Sequence, residues 1–509
     1  MQPHTSAANP APSVPLPYLF LFAVGGGVLF SLLMRLSLNF NGGHIDEYDY
    51  LFVGKQLLSG GHWKSHFYIF GSDLNWYLLG IGDAWAGLTG ARAISGIFGL
   101  LSLVGLYYFV RQLCGHKPLA WLSVALLSIQ VGHIFISRFA TYDIMALAFF
   151  SLSLAPLLLA TQSSGKARYL PTLLAIGLFS LAVTSKYIVI VYFPALVLLA
   201  LLASPRVGAL FGVGVTAILA TYAGWHWHDL QGLYRVQILG VHGENSSYLF
   251  IGKMELIYLA LPLTLWLVAF GWQAFRRGKA IFHDATSRIM LLLLVFALPL
   301  VAYHLHGRNM ISLYKHMVYA SFFLSPVMAW LLFNLMQHFN FKWAVQAVTA
   351  GIVVGMLALN YQQLRDLENA YPDVRPVMEA MQTLPIDAQT TIASEDPYLM
   401  RYALFNQVRQ PQIKELRWMD NNMDGKYENK DTLDALWDNK FNYVFLNNLL
   451  HPNLNQKLRG MMKTRGYEKV LDIPWQTNEI MSRQHKGNLE LYKRTQAARI
   501  PVAEDAMFK

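Results

Sequence analysis

Apolar runs of membrane-crossing length follow one another from Pro15 to about Asn360, separated by short polar turns, and then stop. A helix that crosses a bilayer needs about 20 largely apolar residues. The pattern predicts such helices over 16–38, 91–113, 118–137, 144–162, 170–184, 187–204, 207–224, 255–275, 289–305, 316–335 and 344–360, which makes about eleven spans. From Tyr361 onward the alternation is that of an ordinary soluble protein. Helix-like and strand-like stretches alternate through 373–500, among them VRPVMEAM, TTIAS, YVFLNN, NQKLRGMMK and YEKVLDI. That order predicts a small α/β layer structure. Two units are therefore expected, 1–360 in lipid and 361–509 in water. Within the first, residues 39–90 contain two amphipathic stretches, DEYDYLFVGKQLL and DLNWYLLGIGDAWAGL. These are expected as helices lying in the membrane interface, with Trp76 and Trp85 at headgroup depth. Residues 225–254, opening on WHWHD, read as similarly interfacial.

Composition agrees with this picture. Of 509 residues, 54% are hydrophobic and 14% charged, against about 25% charged in a typical soluble domain. The net charge of +10 invites a nucleic-acid reading, but much of the excess sits in short loops between spans, at Arg111, Lys117, Lys166, Arg168, Arg206, Arg276, Arg277, Lys279, Arg288 and Lys342. Membrane orientation explains that placement, and no nucleic-acid partner is expected. The opposite loops carry Asp46, Glu47, Asp49, Asp73, Asp83, Asp143, Asp229 and Glu244. The N-terminus is therefore expected in the cytoplasm, the first apolar run as an uncleaved span, and the C-terminal unit outside. Cys114 is the only cysteine, which excludes an intramolecular disulfide and a Cys-rich metal site.

Charge at membrane depth or at a span end is costly, so each instance needs a reason. Four places stand out. In His44-Ile45-Asp46-Glu47-Tyr48-Asp49-Tyr50, two adjacent carboxylates would supply a general base with a hydrogen-bonding partner or metal ligand, or else cap an interfacial helix. In Arg138-Phe139-Ala140-Thr141-Tyr142-Asp143, either Arg138 and Asp143 form a structural pair or Asp143 is a second active-site carboxylate near Asp46. Lys186, between Ser185 and Tyr187, would snorkel to the interface or meet an anionic lipid headgroup. Finally, His304, His306, Arg308, Lys315, His316 and Tyr319 form the densest basic cluster near an outer face. A phosphate-binding surface suits it better than a metal site.

Taken in order, these places resemble the integral-membrane glycosyltransferases of the GT-C fold, in the branch of the protein O-mannosyltransferases and the lipid A aminoarabinose transferase. The resemblance runs over about residues 16–335. It rests on Asp46-Glu47-x-x-Tyr50, Leu58 through Gly60-Gly61-His62-Trp63, Arg92, Arg138-x-Ala140-x-x-Asp143 before Phe149-Phe150, Ser185-Lys186, and Lys315-x-x-x-Tyr319 before Pro326. It implies an α-helical polytopic fold and a donor sugar carried on a polyprenyl phosphate. It also implies Asp46 as the base that deprotonates the acceptor, inversion at the anomeric carbon, and Asp143 organising donor or acceptor. Glu47 completes the acidic pair. Arg235, Lys315 and Tyr319 are candidates for the lipid phosphate, with Lys64, Arg138, Lys186 and Arg308 further cations at that face. His44, Tyr50, His62 and Tyr187 would line the site. The aminoarabinose transferase has a Lys-Pro-Pro segment where this chain reads Phe70-Gly71-Ser72-Asp73, so the anion would fall to Lys64, Lys186 or Arg235. The resemblance fixes no cofactor and leaves a divalent metal ion open. The acceptor would be a glycan, lipid or protein.

The chemistry stands without the resemblance. A polyprenyl phosphate leaves as an anion, so one base for the acceptor and nearby cations for the leaving group suffice. Competing readings are a lipid-linked glycan ligase or polymerase, a transporter, and a non-enzymatic envelope scaffold. A transporter would more often show broken helices at mid-membrane and an inverted repeat, and the sequence displays neither.

Overall fold

With no water in the bilayer core, each backbone N–H and C=O must be satisfied within the chain, so the apolar runs close on themselves as helices. The computed structural model describes residues 18–61, 73–234, 246–308, 310, 312–338, 342–416, 429–449, 451–479 and 483–495. The helices in the membrane unit are α1 (Tyr18–Leu36), α2 (Ile45–Leu58), α3 (Asp73–Cys114), α4 (Lys117–Ser128), α5 (Val131–Ile136), α6 (Asp143–Gln162) and α7 (Tyr169–Ser185). There follow α8 (Phe193–Ala203), α9 (Pro205–Trp225), α10 (Trp227–Leu233), α11 (Tyr248–Arg277), α12 (Ala285–Gly307), α13 (Leu313–His338) and α14 (Lys342–Glu368). Among the described residues, 8 helical segments are long and apolar enough to cross a membrane, and three shorter apolar helices lie at Val24–Leu36, Lys117–Ser128 and Tyr187–Ala203.

The expected span 118–137 is broken between α4 and α5, and side chains from α1 and α14 compensate the break. Ser31 and Arg35 donate to the Ser128 carbonyl at 2.6 and 3.1 Å, and Asn360 donates to the Ile129 carbonyl at 2.5 Å. Irregular backbone at membrane depth is tolerated where protein groups satisfy it in this way. The second interfacial stretch is continuous with the following span as α3, through a kink at Ala86 and Gly87. Gly87 has φ +61, which a side chain would strain.

Both stretches expected as interfacial helices are helical, and protein covers one side of them. Tyr48, Tyr50, Leu51, Phe52 and Val53 of α2 are all buried, and so is Trp76 of α3, whereas Tyr77, Ile81 and Trp85 face outward, Trp85 at 77% exposure. The element covering them is the C-terminal unit: α15 (Arg375–Thr383), β1 (Ile392–Ser394), α16 (Pro397–Ala403), β2 (Ile413–Glu415), α17 (Asn429–Trp437), β3 (Tyr443–Leu446), α18 (Pro452–Thr464), β4 (Tyr467–Glu479) and β5 (Arg483–Arg494). Its sheet has the order β2-β1-β3-β5-β4, with β1 parallel to β2 and β3, and β5 antiparallel to β3 and β4. The parallel strands are joined through α16 and α17, as such connections require. One face of this sheet, with α15 and α16, forms a single hydrophobic core with α2 and the start of α3. The other face packs on α17 and α18 as a separate core.

Candidate active site

The start of α2 sets the geometry. His44 caps the helix: its ring nitrogen accepts from the Asp46 N–H at 3.2 Å, and Glu47 accepts from the His44 N–H at 3.0 Å. This reciprocal cap fixes Glu47 inward. There it meets Arg92 from α3 through two parallel bonds of 2.8 and 2.7 Å, and the Ala140 N–H at 2.9 Å. Both Glu47 oxygens are thus occupied, and the residue is fully buried. The acidic-pair reading gave Glu47 a share in catalysis. In the structure it ties α2, α3 and the turn before α6 together.

Asp46 points the other way. Its side chain is 39% exposed, and its Oδ2 accepts from the Lys315 ammonium of α13 at 2.9 Å. Lys315 also lies 3.4 Å from Asp143, which opens α6 and is buried. Asp143 accepts further bonds from Lys186 and, at 2.7 Å, from Thr141. Four elements far apart in sequence therefore converge on two carboxylates and two lysines in alternation. Burial pushes the Asp46 carboxyl up, but Lys315 and then His44 outweigh it and hold it below the ordinary carboxylate value. Asp46 is therefore ionised at neutral pH, as a base must be. Asp49, one turn on, is held well above the ordinary value by burial and by Asp46 itself. Burial lowers Lys186, against the opposing pull of Asp143.

Around this centre, His44 lies edge-on to Phe139 at 5.4 Å and against Tyr371 at 4.9 Å. Tyr50 packs on Tyr142 at 5.1 Å, and Lys186 sits 5.6 Å from the Tyr142 ring. Tyr187 is half-buried beside Lys186. Tyr319, one helical turn below Lys315, is buried against Phe150 and Tyr192 at 5.9 and 6.0 Å.

Two expected cations are elsewhere. Arg138 pairs with Glu368 at the end of α14 and donates to the Ser37 carbonyl, so it neither bridges Asp143 nor offers itself to a phosphate. Arg308 donates to the Ser246 carbonyl at 2.9 Å and lies over the Tyr248 ring at 5.2 Å. His62, Lys64 and Arg235 lie outside the described residues. His304 bonds to His316 at 2.7 Å while His306 is exposed, which separates the two histidines whose spacing suggested a metal site. Among the described residues no group of three or more His, Cys, Asp or Glu is arranged to hold a metal ion.

The sequence reading missed a clamp on the far end of α2. Tyr402 of α16 donates to Asp83 of α3 at 2.5 Å, and Lys55 of α2 stands 3.8 Å from the Tyr402 ring and 3.6 Å from Asp83. A buried carboxylate in an otherwise apolar stretch was the available signal.

Known proteins show the same arrangement of elements. Residues 32–240 match the family model of dolichyl-phosphate-mannose-protein mannosyltransferases, a segment holding Asp46, Asp143 and Lys186. No curated protein matches the chain. Among solved structures, ArnT from Cupriavidus metallidurans in the apo state superposes with a TM-score of 0.58 at 14% identity, covering 92% of this chain and 97% of that one. ArnT bound to undecaprenyl phosphate gives 0.58 at 15% identity, covering 92% and 98%. The Archaeoglobus fulgidus oligosaccharyltransferase tethered with an acceptor peptide gives 0.52 at 12% identity, covering 92% and 74%. At such identities the likeness is one of fold. The chain is a multi-pass membrane protein with the GT-C fold of integral-membrane glycosyltransferases.

Proposed function

We propose that the protein is an inverting glycosyltransferase that moves a hexose or pentose from a polyprenyl-phosphate carrier to an acceptor hydroxyl or phosphate on the outer face of the plasma membrane. The observation that carries this reading is Asp46, ionised and partly open, sharing Lys315 with the buried Asp143. Asp46 takes the acceptor proton, and the acceptor oxygen attacks the anomeric carbon from the side opposite the phosphate. The bond from that carbon to the phosphate oxygen breaks, and Lys315 and Lys186 stabilise the charge that develops there. Asp143 holds both lysines in place. That ArnT is known with undecaprenyl phosphate bound supports a polyprenyl carrier. The acceptor is a glycan, lipid or protein.

In this reading the N-terminus lies in the cytoplasm and the unit 361–509 outside it, on the same side as Asp46. A phosphatase reporter that works only outside the cytoplasm should be active when fused after Lys509; a silent fusion in a well-expressed chain would reverse the topology. The activity itself is tested with purified protein in lipid nanodiscs, offered sugars on polyprenyl monophosphate and on polyprenyl diphosphate. Release of sugar from the monophosphate carrier is expected, and Asp46→Asn should lower it by roughly 10²–10⁴ with carrier binding retained. Equal turnover in the variant would remove Asp46 as the base. Release only from a diphosphate-linked oligosaccharide would mark a ligase instead.

A further inference from the structure

One of the two lysines proposed for the donor phosphate also occupies the proposed base. Lys315 Nζ is 2.9 Å from Asp46 and 3.4 Å from Asp143. A carboxylate engaged with an ammonium has a lone pair committed and its basicity reduced, so as it stands Asp46 is a weak acceptor for a hydroxyl proton. Lys315 is held on both sides, and leaving Asp46 would not leave it unpaired, because Asp143 remains. Asp143 in turn keeps Lys186 and Thr141. The two carboxylates differ in access as well: 39% exposure for the Asp46 side chain against 2% for Asp143. An anion reaching Lys315 from the open side therefore competes with Asp46, not with Asp143.

We infer that Lys315 is a donor-operated switch on the catalytic base: the donor phosphate draws its ammonium off Asp46 while Asp143 retains it, so that Asp46 is released only when a donor is in place. This rests on the donor reading given above. The switch strengthens along the reaction. The acceptor proton passes to Asp46, the acceptor oxygen bonds to the anomeric carbon, and the electron pair of the breaking carbon–oxygen bond stays on the phosphate. The phosphate thereby changes from a singly charged diester to a monoester carrying more negative charge, which pulls harder on Lys315. Without a donor the base stays masked.

The inference predicts a change in proton binding. The groups facing Asp46 are His44 at the cap of α2, Asp49 and Tyr50 from α2, Tyr142 and Asp143 from the start of α6, Lys186 after α7, and Tyr314 and Lys315 from α13. With Lys315 withdrawn, burial and Asp143 raise the Asp46 carboxyl, against the opposing pull of His44 and Lys186. At mildly acidic pH, binding should then bring a proton onto Asp46.

The probe is undecaprenyl methyl phosphate, a diester with no proton of its own to exchange in that range. Calorimetric titration of the full-length protein at about pH 5, repeated in buffers of different ionisation enthalpy, counts the protons taken up. Wild type should take up a measurable fraction of a proton per site, and Asp46→Asn clearly less. Lys315→Met should bind at least about tenfold more weakly and show no such uptake. Equal uptake in wild type and Asp46→Asn, or wild-type affinity in Lys315→Met, would overturn the switch and leave the donor site standing. Failure of wild type to bind the probe would overturn the donor reading and the switch together.

Discussion

Glu47 accepts hydrogen bonds from Arg92 Nε, Arg92 Nη2 and the N–H groups of Ala140 and His44, whereas its neighbour Asp46 faces outward onto one lysine. Glu47→Gln keeps the shape but leaves the Arg92 guanidinium buried without its counter-charge. Breaking a buried pair from one side costs about 3–5 kcal/mol. The expected result is a large fall in thermal unfolding temperature in detergent, with activity falling only as the folded fraction falls. A stable Glu47→Gln protein that binds donor and does not turn over would instead make Glu47 catalytic. Sequence identified Asp46, Asp143, Lys186 and Lys315 because isolated charges at span ends need a reason to be there. It could not say which of two adjacent carboxylates is pinned, because the pin is Arg92, 45 residues away. Nor could it pair Arg138 correctly. Asp143 is five positions along the chain, yet the partner is Glu368 at a separation of 230.

At the scale of elements, α2 keeps its place by close approach to α3. Gly54 and Gly80 face each other: a Cβ on Gly54 would stand 2.6 Å from the Trp76 carbonyl oxygen and 2.9 Å from the Gly80 Cα. Both obstacles are backbone, so the helices would have to part. Gly54→Ala is expected to cost about 1–3 kcal/mol through overpacking and to shift the helix that carries Asp46, lowering turnover per folded molecule. Gly271→Ala in α11, where nothing lies within 4 Å, should be neutral or stabilising on helix propensity alone. If both variants turned over like wild type, the α2–α3 contact would not position the base. Hydrophobic periodicity made the membrane helices legible, since each run had to satisfy its own backbone. The break after α4 was not legible, because the carbonyls it frees are met by Ser31, Arg35 and Asn360 from elsewhere in the chain. Strand β5 escaped notice for a related reason. Most of its positions are polar, and Leu489 and Leu491 turn inward only against a core supplied by α2, α15 and α16.

For the whole molecule, the expected division at residue 360 does not divide the hydrophobic cores. Tyr48, Phe52, Trp76 and Leu79 from the first part share one core with Val374, Val377, Leu399 and Ile413 from the second. The helix α2, which carries Asp46, is thus packed from one side by the membrane bundle and from the other by the C-terminal unit. That gives the C-terminal unit a role in holding the site, distinguishable from mere stability by comparing the two faces of its sheet. Leu399 and Leu458 are both fully buried, the first in the core shared with α2 and the second in the core against α17 and α18. Either one changed to Ala should cost about 2–5 kcal/mol, since the cavity and the lost contacts are of the same kind. Leu399→Ala alone loosens the wall behind α2, so its turnover per folded molecule should fall while its donor half-saturation stays near that of wild type. Leu458→Ala should lose stability and keep normal turnover in whatever remains folded. Measuring turnover against the folded fraction for both decides it: equal specific activity in the two variants would leave the C-terminal unit without a part in positioning Asp46.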